Sequence, residues 1–423
     1  MRTNKNVLNG LILACGVTWT LGQSAWAAEL TVGTVISAAN IDQHLADSFE
    51  GTSMNELLTD KVQLLIRTED LTIRLKASEP ITLGRDYLAA TEANRGTATY
   101  NPDTRMVEGW VAGIPFPDVD ANDPYAAEKL IWNHNYAQPI KNIMDYPKFA
   151  FLFIDESRGL ERVQHWKFLR NYMKGRLGED STVQGDGEIL HKTLLYATYP
   201  NDIRGLGVFT QRYDSPKLDD SWAYLKSVRR TRRLSGGAWM DPIGGTDQLN
   251  DDIEIFNAHP TWYPEYRLLG KRRILVIANV DTQTWDESAS GNAQYPIVDL
   301  ANTPHWNPTA GWEPRDVWVI EAITPPEHPY SKKVMYMDSE FPRFYLSEAY
   351  DRKGDFWKFF NFALGTMETE DGDNAVYSAA GFSLDYQRRH GTVFLSHPSW
   401  KSNTLGITAD DVSLSVLETE AAR

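Results

Sequence analysis

The chain has 423 residues, a formal net charge of −15, and 42% hydrophobic and 23% charged residues. That balance excludes a disordered polymer, which lacks the apolar surface for a core, and the acidic excess excludes a generally basic nucleic-acid binder. The one cysteine, Cys15, excludes a disulfide framework.

Arg2 and Lys5 precede an apolar run from Val7 to Leu21, and Ala25 and Ala27 form an A-x-A cleavage pattern. This predicts a secretory signal peptide over 1–27 and a mature chain from Ala28. Its removal takes away two cations and no acid, moving the net charge from −15 to about −17. Cleavage before Cys15 with lipid attached is the competing reading, but the apolar run continues past Cys15. No later segment approaches the ~20 apolar residues of a membrane helix, so the expectation is a soluble, exported protein.

Along the mature chain, residues 28–145 mix helix and strand. Apolar spacing over Ser53–Arg67 predicts one helix with Ser53 as N-cap, and the alternation in Leu71–Ala77 predicts a strand. Asp123–His134 reads as a helix with Asp123 as N-cap and Pro124 in its first turn. From 146 onward, aromatic and β-branched segments alternate with turns. Strands are predicted at Lys148–Asp155, Glu161–Met173, Ile189–Tyr199, Gly205–Tyr213 and Trp222–Leu234, then at Arg272–Val280, Asp316–Thr324, Lys332–Asp338, Phe344–Asp351 and Phe356–Leu364. The expected fold is α+β, mainly β: one large curved antiparallel sheet covered by helices, in a single domain over 28–423.

The stretch SVRRTRRL, Ser227–Leu234, concentrates arginine in an acidic protein. On one continuous strand Arg230 and Arg232 would share a face opposite Arg229 and Arg233, so charge on both sides is no one-sided nucleic-acid stripe. Ion pairing with the acids of Asp247–Glu254 is the first expectation. Recognition of an anionic head group by Arg229, Arg230 and Arg232, or docking of a partner, is the alternative.

Motifs for chemistry are scarce. There is no G-x-S-x-G elbow, H-E-x-x-H helix or P-loop, and the nine histidines show no zinc-ligand spacing. DVDAND, Asp118–Asp123, opens like a calcium loop but has Asp123 where that loop needs Gly and Lys129 where it needs its last acid. EDGDN, Glu370–Asn374, reads as a solvated turn. The Gly-rich Ser235–Asp247 follows no βαβ pattern. No catalytic residue, metal or cofactor is expected.

The most distinctive segment is GIPFPDVDANDPYAAEKLIWNH, Gly113–His134. It resembles the Gly-x-Pro-Phe-Pro … Trp-Asn-His signature of an uncharacterised family of exported Gram-negative proteins, filed as a domain of unknown function and often labelled outer-membrane lipoprotein-sorting-like. The resemblance continues through His259–Leu269 and His328–Lys358. It implies a half-barrel like the lipoprotein carriers LolA and LolB, whose concave face accepts acyl chains. It also implies a periplasmic location, with or without outer-membrane association, and work beside a transporter of the resistance-nodulation-division (RND) type. The function expected on this basis is a non-enzymatic carrier for a lipid or other hydrophobic molecule. Its candidate ligand-binding residues are Trp110, Phe116, Trp132, His134, Arg229, Arg230 and Arg232, with the aromatics of Phe356–Phe362 as further lining. A non-catalytic adaptor of the cell envelope and an envelope glycan or lipid hydrolase are the competing readings.

Overall fold

The computed structural model describes residues 27–137, 139–226 and 229–422. All but the last residue of the expected signal peptide, Cys15 included, lies outside the described residues. So do Ser227 and Val228 of the arginine-rich stretch.

Fourteen antiparallel strands form one sheet. In chain order they are β1 (Ile143–Asp155), β2 (Gly159–Tyr172), β3 (Ile189–Tyr199), β4 (Gly207–Tyr213), β5 (Asp220–Leu225), β6 (Arg230–Arg233), β7 (Glu265–Val276), β8 (Glu313–Ile323), β9 (Lys332–Asp338), β10 (Phe344–Tyr350), β11 (Phe356–Glu368), β12 (Asn374–Asp385), β13 (His390–Ser396) and β14 (Lys401–Ser402). Their spatial order is β6-β5-β4-β3-β2-β1-β13-β12-β11-β10-β9-β8-β7, and β14 also pairs with β1. The first long strand therefore lies mid-sheet, and two meanders run outward from it. The curved sheet does not close, because β6 and β7 are its two edges.

The run KFAFLFID explains why β1 is central. Phe149, Phe151 and Phe153 enter one buried cluster, and Ala150, Leu152 and Ile154 another. A strand that is apolar at every position must be covered on both faces. One cover is the N-terminal arm with residues 281–312. Lys61, in helix α1 (Asp60–Thr68), lies over the Phe356 ring at 4.1 Å, and Trp285 packs at a tilt against His165, ring centres 5.3 Å apart. Helix α4 (Leu414–Ala422) extends this outer layer through Leu417, packed with Leu194 and Phe209.

The inner face is covered by residues 234–264, which connect edge β6 to edge β7, and by helix α3 (Ala126–Tyr136). The covering segment is irregular, so no hydrogen-bond ladder fixes it. Its acids do so instead. Asp251 accepts from Lys333 at 2.9 Å and from the Tyr263 hydroxyl at 2.5 Å. Asp252 meets Lys333 at 2.7 Å and the Tyr330 hydroxyl at 2.7 Å. Glu254 pairs with Arg343 at 2.7 Å, and Asp247 holds His390 at 2.5 Å and Thr392 at 2.8 Å. Burial alone would push these carboxyls up. The cations outweigh it and hold Asp247, Asp251 and Glu254 below the usual carboxylate range.

Several expectations change. The helix expected over Ser53–Arg67 is two helices, Met54–Leu57 and α1, because Ser53 and Thr59 each cap a first turn, accepting from Glu56 N and Val62 N. Helix α3 starts at Ala126, not after Asp123. The Asp123 carboxylate accepts from Tyr125 N in a local turn and pairs with Lys129. The strand expected at Trp222–Leu234 is the hairpin β5–β6, turning at Arg229 with φ +49°. The acidic turn Glu370–Asn374 is not simply solvated: Asp371 and Asp373 surround the buried Lys141. Strands β12 to β14 were not foreseen. The NAVYSAAGFS run looks too small for a strand, but its small residues make room: a Cβ on Gly381 would lie 2.9 Å from the Phe362 ring.

Lys333 is fully buried between two carboxylates. Replacing it by methionine leaves two buried acids without their cation, so the Lys333→Met variant is expected to lose about 3–5 kcal/mol. Urea unfolding followed by tryptophan fluorescence measures it, and a loss under about 1 kcal/mol would refute the anchoring role.

Candidate functional site

Residues directly opposite on neighbouring strands share a face, so the register lays out the inner surface row by row. One row runs Tyr146–Phe168–Leu195–Val208 across β1 to β4, and is mostly apolar. The next runs Met144–Arg170–Thr193–Thr210–Ser221. A third runs Tyr172–His191–Arg212. Polarity therefore rises along the strands, from phenylalanines to arginines.

Adjoining cavities follow that gradient beneath the covering segment. The apolar one, about 60 Å³, has Tyr146, Phe149, Phe151, Phe362 and Phe394 in its wall. Phe149 and Phe394 stand 5.2 Å apart, and Phe149 meets Phe151 edge-to-face at 5.2 Å. The second, about 80 Å³, shares Phe168, Leu195 and Ile253 with the first and adds Arg170, Thr193 and Arg212. The third, about 20 Å³, shares Arg170, His191, Arg212 and Asn257 with the second. Each exceeds the roughly 10–15 Å³ one water needs, and the larger two do so several-fold.

The covering segment shapes this space through strain. Glu254 and Ile255 have φ of +52° and +76°, a region that a β-branched residue rarely enters. The pair with Arg343 holds Glu254 there, and the same turn places Ile253 in the wall common to the first two cavities.

The sequence candidates fall in several places. His134 borders the polar cavity. Its ring nitrogens lie 2.9 Å from Pro342 O and 2.9 Å from Phe256 O, joining α3 to the cover and to the loop before β10. Trp132 is fully buried and donates to Arg105 O. Trp110 stacks on Tyr136 at 4.0 Å. Phe116 borders a separate, largely polar groove of about 240 Å³ with Asp118, Lys271 and Glu340. Arg229, Arg230 and Arg232 are exposed at the β6 edge and do not border these cavities, while neighbouring Arg233 pairs with Asp220. The acids of Asp247–Glu254 pair with Lys333, Arg343, Arg388, His328 and His390 instead of with this cluster. Of the Phe356–Phe362 aromatics, Phe362 enters the apolar cavity.

The signature itself has a structural explanation. The Asn133 side chain accepts from Phe116 N at 2.9 Å and donates to Phe116 O at 2.8 Å, so it binds the backbone of the Pro-Phe-Pro turn. Gly113 has φ +73°, and a Cβ there would strike the backbone of Thr91 in helix α2 (Arg85–Ala93). These residues frame the site. Arg170, His191, Thr193 and Arg212, which line it, carry no motif. Alternation within HWKFLRNYM could have pointed to Arg170, since it shares a face with Phe168 and Tyr172.

Histidine near the polar end is held neutral. Burial, assisted by Arg343, pushes His134 down to about 4. Burial, assisted by Arg212, pushes His259 down to about 3, and burial with Arg170 holds His191 well below its ordinary value. His390 is the opposite case, raised by its hydrogen bond to Asp247. Among the described residues no group of three or more His, Cys, Asp or Glu is arranged to hold a metal ion, and no helix is long and apolar enough to cross a membrane.

A histidine with a depressed folded pKa contributes stability that is complete above its unfolded value, ~6.5, and lost as pH falls toward the folded value. His134, His191 and His259 work in that direction, and His390 opposes them. The melting temperature is therefore expected to fall between about pH 7 and about pH 5. A His191→Gln/His259→Gln double variant is expected to show a smaller fall, measured by calorimetry at both pH values. An unchanged fall in the double variant would refute the assignment.

Comparison with known proteins gives a family. Residues 35–411 match the family described as "Protein of unknown function (DUF1329)". No curated protein matches the chain. Among solved structures, a DUF1329 family protein from Desulfovibrio piger is similar with a TM-score of 0.46 and 15% identity, over 68% of this chain and 96% of that one. A domain from Vibrio parahaemolyticus described as that of an outer-membrane lipoprotein-sorting protein has a TM-score of 0.45 and 17% identity, over 66% and 92%. A LolA superfamily protein from Nitrosomonas europaea has a TM-score of 0.40 and 13% identity, over 69% and 98%. With the family match spanning most of its length, the chain belongs to the DUF1329 family.

Proposed function

We propose that this protein is a periplasmic carrier for a lipid or other hydrophobic molecule, acting without covalent chemistry and together with an envelope export system of the RND type. The observation that carries the reading is the phenylalanine-walled cavity on the inner face, continuous with a polar end under one covering segment. Apolar burial stabilises a bound chain by about 0.8 kcal/mol per CH₂ and needs no directional partner. The N-terminal leader pattern supports an exported protein, and the resemblance to exported carriers supports the envelope partner.

The cavities, about 80, 60 and 20 Å³, are smaller than a long acyl chain. Loading therefore requires residues 234–264 to lift from the sheet. The latch formed by Asp247, His390 and Arg388 is the place to begin, because Arg388 is exposed and water reaches that end first.

Two measurements test the carrier reading. Organic extracts of the chain from Ala28 onward, purified from its native envelope, are expected to contain an amphiphile by mass spectrometry. In the delipidated protein, Leu195→Trp and Ile253→Trp fill the wall common to the two larger cavities. Each is expected to weaken binding of a fluorescent naphthylamine probe by about tenfold, with the melting transition retained. No amphiphile in the extract, with probe binding unchanged by either tryptophan, would refute the carrier reading.

A further inference from the structure

The polar end of the inner cavity holds an unbalanced charge. Three guanidinium groups, those of Arg170, Arg212 and Arg343, face it or support its wall, and all three are buried. Arg212 is bound in a two-pronged pair by Asp219 at 2.6 and 2.8 Å, and Arg343 by Glu254 at 2.7 Å. Arg170 pairs with no carboxylate among the described residues. Its Nε donates to Thr193 Oγ1 at 3.0 Å, one Nη reaches Asn257 Oδ1 at 3.3 Å, and the other lies 3.5 Å from the Tyr172 hydroxyl.

A guanidinium has five N–H groups, and these neutral acceptors take three at most. Glu254, in the same wall, feels the Arg170 charge but is bound by Arg343, so two cations share one carboxylate there. A buried cation without a bonded counter-ion of its own is costly, and proteins normally pair it. The histidines around it are held neutral and supply no negative charge. Asn135, also in this wall, has a buried Nδ2 donor without a hydrogen-bond partner among the described residues. Unsatisfied donors and one net positive charge therefore point into a space that opens onto the apolar cavity.

We propose that this end recognises the single anionic head group, a carboxylate or a phosphate monoester, of an amphiphile whose tail lies among Phe149, Phe151, Phe362 and Phe394. The inference rests on the carrier reading and adds the chemistry of the head. Arg170 is its charge partner, since a planar guanidinium matches an oxyanion with two parallel N–H···O bonds. Asn135 is placed to donate a further bond. The opposed gradients of apolar and cationic rows fix which way round the ligand lies.

Isothermal titration of the delipidated protein with dodecanoate, dodecyl phosphate, dodecanol and inorganic phosphate tests this. At least one of the two anionic amphiphiles is expected to bind about tenfold or more tighter than dodecanol, with inorganic phosphate too weak to displace it. In the Arg170→Gln variant that preference is expected to vanish, while dodecanol binds as in the parent. The comparison of anionic and neutral ligands in the parent protein decides the matter even if the variant does not fold. Equal affinity for the anionic amphiphiles and dodecanol in the parent would overturn the head-group assignment and leave the carrier reading intact. A preference that survives Arg170→Gln would overturn the role of Arg170. Displacement of dodecyl phosphate by equimolar inorganic phosphate would overturn the amphiphile and leave a plain anion site. Binding of none of the four would sink the carrier reading, and the inference with it.

Discussion

The structure depends on a topological constraint: consecutive strands β6 and β7 lie at opposite edges of the sheet. Thirteen strands at roughly 4.8 Å spacing make a wide surface, and residues 234–264 must cross it to join the edges. A segment that crosses a face must also lie on it. The inner cover is thus a consequence of strand order, and the cavities are what remains where this irregular segment and the curved sheet fail to fill the space between them.

Such a segment has no register of its own. Its acids supply one, each matched to a cation or hydroxyl on a particular strand: Asp247 to β13, Asp251 and Asp252 to β9, Glu254 to the start of β10. Buried ion pairs add little net stability over apolar packing, because desolvation offsets attraction. Their value here is positional. An apolar segment could slide along the phenylalanine rows at small cost, whereas a one-residue slip would replace one of the two carboxylates at Lys333 by Asn250 or Ile253. The left-handed turn at Glu254 and Ile255 is tolerated on the same ground, since its neighbours on both sides are fixed.

Much of the sheet was legible because burial writes itself into composition. KFAFLFID and FWKFFNFAL are apolar on both faces, so their strands could be read within a few residues. Strand β12 could not, because tight packing selected small residues there, and small residues carry no β signal. The cover was illegible for a different reason. Its fold is dictated by partners such as Lys333, 81 positions beyond Asp252, and no local pattern encodes a contact of that range. The arginine-rich stretch misled in the opposite way. Its density drew attention, yet density is a property of exposed turns as much as of sites, and the isolated Arg170 carries more chemical consequence.

The signature residues illustrate how a recurrent motif and a ligand site separate. Trp132 and Asn133 spend their polar atoms on backbone, Arg105 O and both groups of Phe116, and His134, a neutral ring with one N–H to donate, stands between the carbonyls of Phe256 and Pro342. Side chains so occupied position three distant segments and have little left to offer a ligand. The groups with capacity to spare, Arg170 and Asn135, lie next to that frame and depend on it, because α3 carries Asn135 and His134 ties the cover that closes over both. Specific side chains hold the frame so that a few unsatisfied ones can be held open, and a residue's remaining hydrogen-bonding capacity marks the site better than its prominence in the sequence.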